Sequence, residues 1–270
     1  LYRNYIHKKM QKKNAIIITV GEKGIIFTIH TAKKIINKVF FEKLDDEVKK
    51  SLNKILAKNK SQNIYIIFDI LDQSFKKKNF PPMKNGDLKL LIKREMLIDP
   101  DKESLKNHII LDPISNKIKI KNWQVLFIST FIPKNAKELL GYVEGLPNRL
   151  IGIYLAPIES SNIVKSINKS QTRDVKDPEV ESEIYCLVSQ TKVSGMRQTI
   201  FHKEQILFTR LLDYDSRDPD FIRKYEKDLY ASFEYLRRLF PEVSISRFCT
   251  INILDQKAID SISKMTNIEF

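Results

Sequence analysis

The sequence predicts a two-lobed α/β fold carrying an inserted α/β subdomain, on three observations. Segments 15–29 and 184–211 each read as consecutive short strands joined by tight turns, and each precedes an amphipathic helix. Between them, residues 71–155 hold a strand-and-helix pattern of their own. Residues 170–182 are polar and lack periodicity, which suits a linker between lobes. The predicted division is a basic arm at 1–14, a first lobe at 15–70 plus 156–169, the insert at 71–155, the linker at 170–182, and a second lobe at 183–270. A chain of 270 residues that is 42% hydrophobic can bury the cores this needs.

Each element has a local reason. Ala15 to Val20 is apolar and β-branched, Gly21-Glu22-Lys23-Gly24 turns it, and Ile25 to His30 returns as a second strand, with a third over 34–41. Asp45 or Asp46 caps a helix whose Val48, Leu52, Ile55 and Leu56 share one face. The apolar run 63–70 reads as a buried parallel strand. In the insert, Lys76-Lys77-Lys78 reads as a basic loop that runs through Phe80-Pro81-Pro82-Met83 into a helix with Leu88, Leu91, Ile92 and Met96. Strands at 107–111, 117–121 and 123–131 follow, then a helix opened by Pro133, with Trp123 packing inside the insert, and a strand at 149–155. A short helix is predicted at 159–168. The second lobe predicts strands at 183–189, 196–202 and 205–211 and a helix over 218–240. That helix carries a stripe of Ile222, Tyr225, Leu229, Phe233, Leu236 and Phe240, and Pro241 stops it. A strand at 244–254, a helix at 256–265 and a further strand from 268 complete the chain.

Net charge is +14, from 47 Lys and Arg against 33 Asp and Glu. Such a balance suits nucleic acid, an anionic membrane surface or an acidic partner protein. The lysines are scattered rather than striped, however, as AT-biased coding produces, and the clusters at 8–13 and 76–78 suit solvated loops. Cys186 and Cys249 each lie in an apolar run, as small buried hydrophobes of a reducing compartment do. No CxxC, Cys/His cluster or HExxH occurs, so no metal is expected. The four histidines, His7, His30, His108 and His202, lie in separate elements with no nucleophile motif nearby. Gly21 to Gly24 matches the GxxG of an RNA-gripping loop but is flanked by strands, which makes it a hairpin turn. The acidic run 213–220 lacks the glycine and late glutamate of an EF-hand and suits capping of the following helix. No stretch reaches the 18 or so apolar residues of a membrane span; because the chain starts at Leu1, an anchor outside it is expected to remain an option.

Four places in the chain resemble a known family: Phe80-Pro81-Pro82-Met83 with the helix containing Glu95, the helix and strand over 132–155, Gln205 to Arg210, and the helix around Phe233-Glu234-Tyr235-Leu236-Arg237. They resemble the actin-like (ribonuclease H-like) proteins of inner-membrane assembly platforms, namely the type IV pilus protein PilM and the cytoplasmic domain of type II secretion protein L. The resemblance implies two phosphate-gripping turns, the first typically Asp-x-Gly and the second also acidic and glycine-rich. Thr19-Val20-Gly21 stands at the first, and 189–194, with Gln190 and Lys192, at the second. The glycine pair of the adenosine turn is replaced by Leu254-Asp255-Gln256. Thr and Gln cannot hold a hydrated magnesium ion, and side chains at the glycine positions obstruct phosphate.

The resemblance therefore implies a degenerate ATPase fold with neither ATP nor magnesium as cofactor. The expected protein is a non-catalytic scaffold at the cytoplasmic face of a bacterial inner membrane, binding assembly proteins through a short peptide or small domain. Phe80, Pro81 and Met83 are the candidate contacts: the prolines leave neighbouring polar groups unpaired, and methionine adapts to varied surfaces. The positive charge would hold such a domain near anionic headgroups. A nucleotide-switched ATPase and a basic nucleic-acid-binding protein are the alternatives.

Overall fold

The computed structural model describes residues 14–31, 34–98, 104–111, 122–171, 184–202, 205–212, 220–239 and 245–251. The predicted elements at 117–121, 256–265 and 268–270, the turn at 254–256, and nearly all of the arm and linker lie outside these residues. Two compact units emerge: Leu1–Ile70 with Gly141–Phe270, and Leu71–Leu140.

In the larger unit, β1 (Ala15–Gly21), β2 (Gly24–His30) and β3 (Ile35–Phe41) form an antiparallel meander. Helix α1 (Asp46–Ala57) buries Leu52 and Leu56. β4 (Asn63–Asp69) then returns parallel to β1, which requires such a crossover. The register runs from Ala15 opposite Asn63 to Gly21 opposite Asp69. Asp45 is the cap of α1: its Oδ1 accepts the Val48 amide at 2.8 Å. Asp45→Ala is expected to cost about 1 kcal/mol, read by urea denaturation.

The smaller unit holds β5 (Gln73–Phe80), α2 (Asn85–Ile98), β6 (Ser104–Leu111) and β7 (Trp123–Phe131), with the strands in the order β5-β7-β6, all antiparallel. The basic stretch expected as a loop is thus a strand. Lysine has low β-propensity, but the ladder to β7 decides the conformation, and lysine stems can lie along a sheet with their heads in water. Leu88, Ile92 and Val125 form its core, with Phe80, Met83, Met96, Trp123 and Phe127 packed around them. Trp123 packs inside the insert as expected, its indole Nε1 donating to the Met83 carbonyl at 3.0 Å. Helix α3 (Lys134–Glu144) starts on the Pro133 carbonyl, which accepts the amides of Ala136 and Lys137.

β8 (Leu150–Leu155) pairs in parallel with β4, giving a five-stranded sheet β3-β2-β1-β4-β8. That pairing makes the compact insert shorter than the expected 71–155. Helix α4 (Ala156–Gln171) is longer than predicted at both ends and packs on β4, β8 and β11 (Gln205–Leu212). β9 (Ile184–Thr191), β10 (Gly195–His202) and β11 form a second meander. After α5 (Phe221–Leu239), β12 (Ile245–Ile251) lies parallel to β9. The order β11-β10-β9-β12 repeats β3-β2-β1-β4, so the duplicated layout is present as topology.

The second core joins Ile184, Cys186 and Val188 of β9 to Tyr225, Leu229 and Leu236 of α5. Phe221 occupies the first position of that stripe, while the side chains of Ile222 and Phe240 lie outside the description. The Tyr225 hydroxyl is buried without a hydrogen-bond partner among the described residues. Burial, reinforced by Cys186, pushes its proton affinity well above the ordinary value of 10.0. Tyr225→Phe is expected to raise stability by about 1 kcal/mol in a thermal melt, because it removes an unpaired buried polar group. The folded state retains that proton beyond pH 10.0, so wild-type stability declines as pH rises past this value; the decline should be smaller in Tyr225→Phe.

Candidate functional site at the facing hairpin turns

Two hairpin turns of the larger unit meet face to face. The first joins β1 to β2, with Glu22 and Lys23 at its tip; the second joins β9 to β10 through Lys192, Val193 and Ser194. The Lys23 amide donates to the Val193 carbonyl at 2.6 Å, a direct backbone bond from one hairpin to the other. Gly21 makes the approach possible: a Cβ there would lie 2.5 Å from the Val193 oxygen and closer still to Ser194 Oγ. Ser194 Oγ donates to the Asp69 carbonyl, which the parallel register has placed beside Gly21.

Asp69 ends β4, and its carboxylate is enclosed. Oδ1 accepts from Arg197 Nε at 2.6 Å and Oδ2 from Thr191 Oγ1 at 2.8 Å. The Asp69 and Arg197 side chains are only 2% and 4% exposed. Arg197 spends its other nitrogens on the Ile70 carbonyl at 2.7 Å and Thr209 Oγ1 at 3.1 Å. Each charge thus has an opposite partner and further hydrogen bonds from neighbouring groups, as a buried ion pair requires. Behind it, Gln198 is fully buried; its Oε1 accepts from Ser232 Oγ on α5 at 2.9 Å and its Nε2 donates to Cys186 Sγ at 3.5 Å.

Of the residues predicted at the turns, Gly21 enters this seam. Thr19 and Gln190 remain half-buried within β1 and β9. Lys192 is exposed, with its ammonium 4.1 Å from the centre of the Phe40 ring, a cation–π placement. The third turn, at 254–256, lies outside the described residues. Far from these in sequence, Phe80 and Met83 are half-buried in the insert's own core, Phe80 edge-on to Phe127 at 6.3 Å, whereas Pro81 is exposed. Sequence reasoning missed Asp69 and Arg197. The available signal was a solitary Asp at the end of the apolar run of β4 and a solitary Arg within β10, each of which obliges a partner once buried.

The chemistry of the arrangement is that of a fastening. Both Asp69 oxygens and all three Arg197 nitrogens are engaged in hydrogen bonds within the protein, and the Val193 carbonyl is directed at a protein amide. Among the described residues no group of three or more His, Cys, Asp or Glu could hold a metal ion. Among the same residues no helix is long and apolar enough to cross a membrane.

No protein-family model matches the sequence, and no curated protein matches it. Solved structures do match. The PilM–PilN type IV pilus biogenesis complex aligns over 94% of this chain and 86% of that one, with a TM-score of 0.64 at 10% identity. A Bacteroides thetaiotaomicron protein with an actin-like ATPase fold aligns over 96% and 91%, with a TM-score of 0.46 and 13% identity. The cytoplasmic domain of EpsL, an inner-membrane component of the type II secretion system of Vibrio cholerae, aligns over 96% and 97%, with a TM-score of 0.45 and 10% identity. The fold is the actin-like α/β fold that the resemblance implied, and the match to the PilM–PilN complex supports it.

Proposed function

We propose that this protein is a non-catalytic scaffold of a bacterial inner-membrane pilus or secretion platform, in which the former nucleotide cleft serves as a permanent clasp. One observation carries the reading: the two turns that would hold phosphate from opposite sides are bonded to each other and fastened by the Asp69–Arg197 pair. A magnesium triphosphate needs turn amides aimed at its oxygens and carboxylates free to hold the hydrated metal. Admitting one here means breaking the Lys23–Val193 bond and stripping a buried charge of its partner. The latter alone costs about 3–5 kcal/mol, or roughly two to almost four orders of magnitude in affinity.

The likeness to PilM in a complex with PilN supports partner docking as the role that remains, at the cytoplasmic face of the membrane, where a net charge of +14 favours anionic headgroups. Titrating Mg-ATP and Mg-ADP into the protein, with phosphate release followed in parallel, tests the reading. No binding below the millimolar range and no turnover are expected; micromolar binding with turnover overturns it.

A further inference from the structure

We propose that Asn85 is a site of spontaneous covalent modification, where an exposed Asn-Gly pair closes to a succinimide and reopens as aspartate or isoaspartate; this goes beyond the scaffold reading and does not rest on it. Of the seven glycines only Gly86 follows an asparagine. Closure needs a free carboxamide, an unbonded amide beside it and room for the two to meet. Asn85 and Gly86 are both exposed, and among the described residues nothing hydrogen-bonds the Asn85 side chain. The first bond of α2 runs from the Leu88 amide to the Lys84 carbonyl at 3.1 Å, so the Gly86 amide lies ahead of the ladder. A Cβ at Gly86 would meet nothing within 4 Å. Helical backbone holds the Gly86 nitrogen away from the Asn85 carboxamide carbon, so ψ of Asn85 must leave the helical range. Asn85 is the first residue of α2, where fraying releases it at little cost, and glycine leaves the following backbone free to turn.

The Gly86 nitrogen gives its proton to hydroxide and bonds to Asn85 Cγ. The Cγ–Nδ2 bond breaks, and ammonia leaves with a proton from water. Water then opens the ring: attack at Cγ yields aspartate, and attack at the main-chain carbonyl yields isoaspartate, whose chain runs through Cβ. The surroundings make the two products unequal. Upstream, the Met83 carbonyl is held by Trp123 Nε1 at 3.0 Å; downstream, Leu88 is buried in the insert's core with Ile92 and Val125. Lys84, Asn85, Gly86 and Asp87 bridge these anchors, and all are exposed. Aspartate at 85 places a negative charge on the first turn of a helix, where it is favourable. Isoaspartate adds a main-chain carbon between two fixed points, so the Lys84–Leu88 bond and the seating of Leu88 bear the misfit. One product leaves α2 in place; the other loosens its start on the sheet.

Incubating the whole protein in mildly alkaline buffer, native and in urea, tests this, with the tryptic peptide of residues 85–89 resolved into its asparagine, aspartate and isoaspartate forms by chromatography and mass spectrometry. The native protein should convert at Asn85, chiefly to isoaspartate, no more than about tenfold more slowly than in urea, the slowing that opening one terminal hydrogen bond imposes. Gly86→Ala, whose methyl enters open space, should fold normally and convert more slowly by about tenfold or more, because the added Cβ restricts the backbone. A methyltransferase specific for isoaspartyl carboxylates, supplied with labelled S-adenosylmethionine, should label the incubated protein, and Asn85→Gln should abolish that label. Hydrogen exchange at the Leu88 amide should be faster in the isoaspartyl form, while Asn85→Asp should match the unaltered protein. Conversion in urea without conversion of the native protein would show that the helix holds Asn85 closed and would overturn the proposal. A rate indifferent to Gly86→Ala, or a methyl label undiminished in Asn85→Gln, overturns it equally. Unchanged Leu88 exchange in the isoaspartyl form overturns the loosening of α2.

Discussion

Arg197→Met is expected to lower folding stability by about 3–5 kcal/mol, the cost of leaving a buried charge without its partner. Methionine keeps most of the side-chain volume, so the loss reports on charge and hydrogen bonds rather than on a cavity. It would orphan Asp69 Oδ1, the Ile70 carbonyl and one bond to Thr209 at once. The double variant Asp69→Asn/Arg197→Met should recover a substantial part of the loss, because the uncompensated carboxylate is gone. Chemical denaturation of the two single variants and the double provides the coupling energy. Additive effects would mean that the pair does not hold the hairpins together. Because the two residues are 128 positions apart, their coupling is also a direct measure of the join between the first and second sheets.

Gly21→Ala should produce the second-largest effect. The added methyl cannot be accommodated by a rotating side chain, since the Val193 carbonyl, a backbone group, stands 2.5 Å from where it would lie. The turns must separate, at about 1–3 kcal/mol for overpacking, with roughly 1 kcal/mol more for the Lys23–Val193 hydrogen bond. Shortening the facing side chain with Ser194→Gly should relieve only part of this, because the carbonyl remains. Hydrogen exchange at the Lys23 amide supplies an independent readout: protected in the native protein, it should exchange faster in Gly21→Ala. A neutral Gly21→Ala with unchanged protection would show that the turns stand apart in solution, and the clasp reading would fall with it.

What could be read in the sequence follows the range of the forces involved. The meanders 15–41 and 184–212 are legible because β-branched runs, a glycine turn and short connections act within a few residues. The capping of α1 by Asp45 and the stripe of α5 are local in the same sense. β5 was hidden because three consecutive lysines resemble a loop, and its strand state depends on β7, about 50 residues later, supplying the ladder from Gln73 opposite Thr130 to Phe80 opposite Trp123. The extent of the insert was misjudged because β8 looks like any apolar strand until its pairing with β4 is known. At the turns, Thr19 and Gln190 could be placed from the resemblance, but the Lys23–Val193 bond and the Asp69–Arg197 pair could not.

Sequence alone determined the α/β class and the repeated strand–strand–strand–helix–strand order, since each depends on residue identity and short-range periodicity. Tertiary structure alone decided that Gly21 faces Ser194 and that the lone charges of β4 and β10 find each other. Such pairings depend on strand register and on the packing of one sheet against another, and a buried charge states only that it needs a partner, not which residue that partner is.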